Sequence, residues 1–168
     1  MMLDFRTQAM QWLRYEPATG KFFWLISPNG GRCIVKAGHE AGTVKDGYIK
    51  IKVLGQQWRA HRLAWLFQTG EVPPKGLDVE HANRKRDDNR WSNLRLATRA
   101  QNNMNMLPSV SNKSGFRGVS WRSDTSKWHA RIVVDNKTIL LGDFVRIEDA
   151  VAARKKAEAH YCGDFAPS

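Results

Sequence analysis

Cysteine is scarce: Cys33 and Cys162 stand far apart in 168 residues, with no Cys-x-x-Cys spacing. That leaves no disulfide framework and no four-ligand structural zinc site of the usual kind, and it suits a reducing interior. Long apolar runs are also missing. None approaches the ~20 residues that cross a bilayer, and the N-terminus lacks the charged-then-apolar order of a secretory signal. The expectation is a soluble chain that stays in the cytoplasm and has no membrane partner. Acidic residues are few beside basic ones, 16 Asp and Glu against 27 Lys and Arg, for a formal charge of +11 and a pI near 10.1. Such a surface attracts polyanions through Coulomb forces and through release of their condensed counterions. Nucleic acid is the leading partner; ribosome association, an anionic membrane surface and charge kept for solubility are the alternatives.

What is present divides into three regions, on a length that suits one domain or two small ones. In residues 1–58, turn signals at Pro17-Ala18-Thr19-Gly20, Pro28-Asn29-Gly30-Gly31 and Asp46-Gly47 separate short apolar runs. A helix near Thr7 to Leu13, a strand at Phe22 to Ile26 and an alternating strand from Tyr48 to Val53 make this a β-rich unit. A helical repeat over His61 to Phe67, stopping near Gly70 and Pro73-Pro74, ties it to the next region. Within the domain expected at residues 59–107, the stretch from about Leu77 to Met106 reads as strand, polar loop, strand and helix. The helix opens on a capping box, Thr98-Arg99-Ala100-Gln101, which places Asn102 in its first turns. Residues 108–115 are polar and rich in turn formers, a linker by composition. Residues 116–168 hold strand-like runs at Phe116 to Arg122, Trp128 to Asp135 and Lys137 to Phe144. A helix from Glu148 to about Tyr161 follows, with a narrow stripe of Ala150, Ala153, Ala157 and Tyr161. The fold class expected is α+β, ending in a three-stranded antiparallel sheet packed on one helix.

The chemistry-bearing text runs from Asp78 to Arg95, with Glu80-His81, a polar loop and Asn93-Leu94-Arg95, followed by Asn102. Hydrolysis of a phosphodiester needs a proton acceptor for water, a cation to absorb charge on the phosphoryl and leaving oxygens, and rigid positioning. A lone Glu-His pair is usually an exposed ion pair; the joint pattern with the amides is what points to a site. His61 reads as a packing histidine, Asn89 as shaping the loop, and Asn103 and Asn105 as solvated helix positions. His39, His129 and His160 have no pattern around them. Arg84-Lys85-Arg86 and Arg90 put positive charge beside the site, either as a solvated loop or as phosphate-positioning groups, the reading preferred here; Arg95 is a further brace for phosphate.

These residues resemble the His-Asn-His endonuclease family, in particular the small phage-borne homing endonucleases. The resemblance implies a ββα-metal module with His81 as general base and Asn93 holding its ring. It implies one divalent metal, Mg²⁺ or Mn²⁺, on Glu80 and Asn102. The carboxylate before the histidine is more usually aspartate in that family; the longer Glu80 is still a hard oxygen ligand with a looser aim. Asp78, two residues earlier, stands where it could act through water.

In the third region, Ser114-Gly115-Phe116-Arg117-Gly118-Val119-Ser120-Trp121-Arg122, Lys127 to Ile132, Leu141-Gly142-Asp143-Phe144 and Glu148-Asp149-Ala150 resemble the plant ethylene-response-factor, or Apetala-type, domain. That likeness implies strand side chains entering the major groove. Alternation over the middle strand sets Ala130, Ile132 and Val134 toward the helix and His129, Arg131 and Val133 away from it, with Trp128 either contacting DNA or in the core. The groove candidates are Arg117, Trp121, Arg122 and Arg131. Ser120 and Val133 stand where the plant domains usually have arginine, so no plant target sequence carries over. Lys50, Lys52 and Arg59 are candidate DNA contacts in the first region.

The function expected is metal-dependent, strand-nicking cleavage of double-stranded DNA to a 5′-phosphate and a 3′-hydroxyl. The chain would act as a monomer or weak dimer, without a small-molecule cofactor, in a bacterial host cell if phage-encoded. The rivals are a DNA-binding regulator that kept the fold without activity, and an RNA-binding or ribosome-associated protein.

Overall fold

The structure, a computed structural model, describes residues 4–28, 35–106, 112–134 and 137–162. Cys33, the Pro28-to-Gly31 turn beyond Pro28, the Asp135-Asn136 connection and residues 108–111 of the expected linker lie outside them. The chain divides into two compact units, Met1–Ala97 and Thr98–Ser168.

The first unit opens with α1, Phe5–Trp12, where the Asp4 carboxylate accepts the Thr7 amide at 2.8 Å as an N-cap. Strands β1 (Leu13–Glu16) and β2 (Lys21–Trp24) then pair antiparallel. Strands β3 (Thr43–Lys45), β4 (Tyr48–Val53) and β5 (Gln56–Arg59) form an antiparallel meander. Its first turn is the expected Asp46-Gly47, with φ of 57° and 79°, the two positive values a tight hairpin of this type requires. Helix α2, Ala60–Thr69, ends where Gly70 takes a left-handed φ of 85°. Strands β6 (Leu77–His81) and β7 (Leu94–Thr98) make the last, two-stranded sheet, with a single 3₁₀ turn at Trp91–Asn93 before β7.

One hydrophobic cluster joins these pieces. Leu13 and Phe22 from the first hairpin, Ile51 and Val53 from β4, Leu63 and Phe67 from α2, Val79 from β6 and Leu94 from β7 all belong to it. It therefore runs straight across the boundary expected at residue 58, because neither the hairpins nor the β6–β7 pair has enough apolar surface to bury alone.

The second unit begins with the short α3, Arg99–Met104, and continues with β8 (Val119–Arg122), β9 (Lys127–Val134), β10 (Lys137–Phe144) and α4 (Ile147–Cys162). The sheet order is β10-β9-β8, antiparallel throughout, and α4 packs on it through Val119, Ala130 and Ala150 and through Ile132 and Ala157. The expected helix stripe needs one correction. Tyr161 is exposed, and Arg154 is the buried residue between Ala150 and Ala157. Its guanidinium donates to the Arg131 carbonyl at 2.6 Å and to Glu158 at 2.8 Å. Gly118, at φ 71°, leaves the space: a Cβ there would stand 2.3 Å from the Arg131 oxygen and 2.7 Å from Arg154 Nη1.

Candidate active site

Strand β6 carries Glu80 and His81, the carboxylate and imidazole expected to form the site. Glu80 is 4 % exposed. Its Oε1 accepts Arg95 Nε from β7 at 2.6 Å, while its Oε2 is buried with no hydrogen-bond partner. A buried carboxylate oxygen left unpaired is costly unless a cation completes it, so the donor fits a hard divalent ion. Among the described residues no three His, Cys, Asp or Glu side chains cluster as a metal site; an amide ligand would not count in such a set. Asn102 lies half-buried on α3, in the second unit. The helix starts as expected, with Thr98 Oγ1 accepting the Gln101 amide at 3.2 Å and Gln101 Oε1 accepting the Thr98 amide at 2.8 Å. Asn105, expected to be solvated, is buried at the helix end. Asp78 is exposed and lies 4.0 Å from Arg62.

The imidazole of His81 is held by Asn89, and this corrects the expectation for Asn93. Nε2 of His81 lies 3.1 Å from Asn89 Oδ1. Asn89 Nδ2 donates to the Asp87 carbonyl at 3.1 Å, which turns the amide oxygen toward the ring. Nε2 then carries the proton, and Nδ1 carries the lone pair. Asn93 acts on the loop instead: its Oδ1 accepts the Asn83 amide at 3.0 Å and its Nδ2 donates to the Asp88 carbonyl at 2.7 Å. The physical reason is reach, since both polar atoms of its side chain are committed to loop backbone, at Asn83 and at Asp88. Burial lowers the His81 pKa from its ordinary value, opposed by the Asn89 hydrogen bond and by Asp88 and Asp87. A neutral ring at neutral pH is the form a general base requires.

His61, expected to be a packing histidine, is buried against His81, and Tyr48, for which no site role was expected, lies beside both. The His61 ring meets His81 edge-on at 4.8 Å between centroids, and Tyr48 lies 5.4 Å from His61 and 6.2 Å from His81. Burial first, then the charges of His81, Arg59 and Arg62, push the His61 pKa down to about 3. Its Nδ1 is buried without a partner. A histidine opening an apolar helix gives no local signal of this; only the fold brings α2 beside β6.

The basic residues divide by partner. Arg86 and Arg59 stack over the Tyr48 ring, at 5.1 and 4.6 Å. Arg84 occupies a left-handed φ of 64° where the chain turns back on the His81 carbonyl, and Lys85 is exposed. Arg90 grips Asp88 through Nε and Nη2 at 2.8 and 2.6 Å, so its fork serves the loop rather than an open phosphate position. That grip, with the Asn83 amide, holds the Asp88 carboxyl well below the usual range. Arg95 likewise has its Nε on Glu80. Lys50 pairs with Asp46 at 2.9 Å.

In the second unit, residues directly opposite in an antiparallel ladder share a face. Arg122 pairs with Lys127, Ser120 with His129 and Arg131 with Leu140, on the face away from α4. Arg122 also forks onto Asp124, at 3.1 and 2.6 Å. Trp121 pairs with Trp128, whose ring packs with the core under α4, and meets it edge-on at 5.2 Å. The register therefore separates Trp121 from Arg122 and Arg131, although it is 50 % exposed. Arg117 is half-buried in the segment before β8.

With this geometry in place, comparison with known proteins adds the following. Residues 59–104 match the family described as HNH endonuclease, so an HNH endonuclease domain occupies that stretch. The chain is 32 % identical over 79 residues to Protein 3.8 of Escherichia phage T7, an alignment covering 47 % of this chain and 64 % of that protein. No solved structure matches. No helix among the described residues is long and apolar enough to cross a membrane.

Proposed function

We propose that the chain is a metal-dependent DNA endonuclease of the homing type that nicks double-stranded DNA, leaving a 5′-phosphate and a 3′-hydroxyl. One observation carries the reading: the end of β6 presents a buried carboxylate with an unpartnered oxygen beside a buried imidazole held by an amide. His81 accepts the proton of the attacking water at Nδ1, while Asn89 keeps the Nε2 proton in place. Glu80 Oε2 is the ligand for Mg²⁺ or Mn²⁺, and Asn102 is the second ligand that the likeness to the nuclease family assigns. Such an ion, when bound, supplies Lewis-acid stabilisation of the phosphoryl and leaving oxygens. Arg84, Lys85 and Arg86 draw the DNA backbone toward β6.

The second unit serves as the sequence-biased DNA contact implied by its Apetala-type likeness. The open face of its sheet combines Lys127 and Arg131 with Val133 and the 59 % exposed Leu140. Charge for phosphate beside apolar groups for thymine methyls is what a major-groove reader needs. One site per chain gives a nick from a monomer or weak dimer, and the likeness to a phage protein fits a host-cytoplasm setting.

Arg95 favours a second reading, a DNA-binding regulator without activity, because its guanidinium already neutralises Glu80. Supercoiled plasmid incubated with Mg²⁺ or Mn²⁺ separates the two. The wild type converts it to the nicked circle and His81→Ala does not; a purified wild type that binds plasmid but leaves it intact establishes the regulator.

A further inference from the structure

The loop that orients His81 is itself held from below by the first hairpin, sixty residues or more away in sequence. Asn89 is 1 % exposed, so its backbone is fixed by protein contacts alone. Its carbonyl accepts the Tyr15 hydroxyl from β1 at 2.7 Å. Two residues on, the Trp91 amide donates to the Pro17 carbonyl of the β1–β2 turn at 2.9 Å. Between these bonds the turn presses against the loop backbone. A Cβ on Gly20, which has φ 76°, would stand 2.3 Å from both Arg90 N and Asn89 C. Such a distance is well inside van der Waals contact, so only glycine permits this approach. Tyr15 is in turn locked: it pairs with Phe22 across the hairpin, the rings 4.8 Å apart, and Phe22 meets Phe67 of α2 edge-on at 5.4 Å.

We propose that the β1–β2 hairpin is a positioning part of the active site, Tyr15 and Gly20 setting the Asn89 backbone and, through the Asn89 amide, the His81 ring. The inference rests on His81 being the general base. Tyr15 touches no reacting atom; it acts through Asn89. Its hydroxyl is suited to a permanent strut, because burial, followed by the charge of Asp88, raises its pKa to about 12 and keeps it a donor throughout the working range. The consequence is that the β1–β2 hairpin serves the geometry of the site as well as the core.

The test is Tyr15→Phe, which keeps the ring between Asn89 and Phe22 and removes one hydroxyl, with Gly20→Ala as a variant that displaces the same loop from the other side. Plasmid nicking under single-turnover conditions should slow by about tenfold for Tyr15→Phe, a partial misplacement against the roughly 100-fold cost of 1 Å. DNA affinity should stay unchanged. Tyr15→Phe should add nothing to Asn89→Ala, since both act on one connection. In ¹⁵N spectra of the histidines, the His81 ring signals should move in both Tyr15→Phe and Gly20→Ala. Full cleavage rate in Tyr15→Phe, or additive losses with Asn89→Ala, overturns the inference. Should the wild type fail to nick DNA, the nuclease reading fails by itself, and the ring spectra still decide positioning: unmoved His81 signals in both variants refute it.

Discussion

Acidifying the protein should destabilise it through His61 more than through any exposed group. The residue is 4 % exposed, its ring tilted against Tyr48 and edge-on to His81, and burial brings its pKa from 6.5 down to about 3 on folding. Above pH 6.5 neither the folded nor the unfolded chain binds the proton, and the full stability is present. Between 6.5 and about 3 the unfolded chain binds it and the folded chain does not, so stability is lost as the pH falls. One proton taken up only on unfolding gives a slope of roughly 1.4 kcal/mol per pH unit. From pH 6.5 to about pH 4 the loss through this residue alone is roughly 3 kcal/mol, a large part of a small domain's stability. Urea denaturation of the wild type and His61→Phe over that range isolates the contribution, because Phe keeps a ring against His81 and cannot titrate. The carboxylates whose pKa is lowered, such as Asp88, weaken both proteins alike. The wild-type curve should be steeper by about one proton's worth. Parallel curves would mean that His61 is charged in the folded state and that the buried, neutral pair of rings is wrong.

Two further outcomes separate roles that the residues alone leave merged. Asn89→Ala should cut the nicking rate with little loss of DNA affinity, whereas Asn93→Ala should lower stability by about 1–3 kcal/mol, the cost of unpairing part-buried loop backbone at Asn83 and Asp88; an unchanged nicking rate in Asn89→Ala, or an unchanged melting temperature in Asn93→Ala, contradicts the assignment. In the second unit, Arg131→Ala should weaken DNA binding and reduce the slope of log affinity against log salt by about one, while Trp121→Ala should leave that slope unchanged; gel-shift titrations over a salt series check both.

Much of the architecture could be read from local pattern. The capping box at Thr98 and Gln101, the Asp46-Gly47 turn and the Gly70 stop are chemical signals written within four residues, and the structure uses each of them. Alternation along β9 likewise placed Ala130 and Ile132 inward and Arg131 outward, because a strand's side chains alternate whatever its neighbours do. The face of Trp121 was not legible for the complementary reason: it depends on the register with Trp128, and register is a property of two strands.

The site followed the same division. Glu80 and His81 were expected together because a carboxylate beside an imidazole at a strand end, with asparagines downstream, is a pattern in one dimension, and the structure buries both at the end of β6. Which asparagine holds the ring could not be read that way. Asn89 and Asn93 are the same residue four positions apart in one polar loop, and the choice falls to whichever backbone the loop's curvature turns inward. That curvature is set by Tyr15, Pro17 and Gly20, which sequence distance conceals. What the amino-acid order determined was the local elements and the residue types gathered at the candidate site, since propensity, capping and charge act over a few residues. What only the tertiary structure decided was which side chains meet, because burial in one shared core brings distant segments within hydrogen-bond reach, and no local pattern encodes that distance.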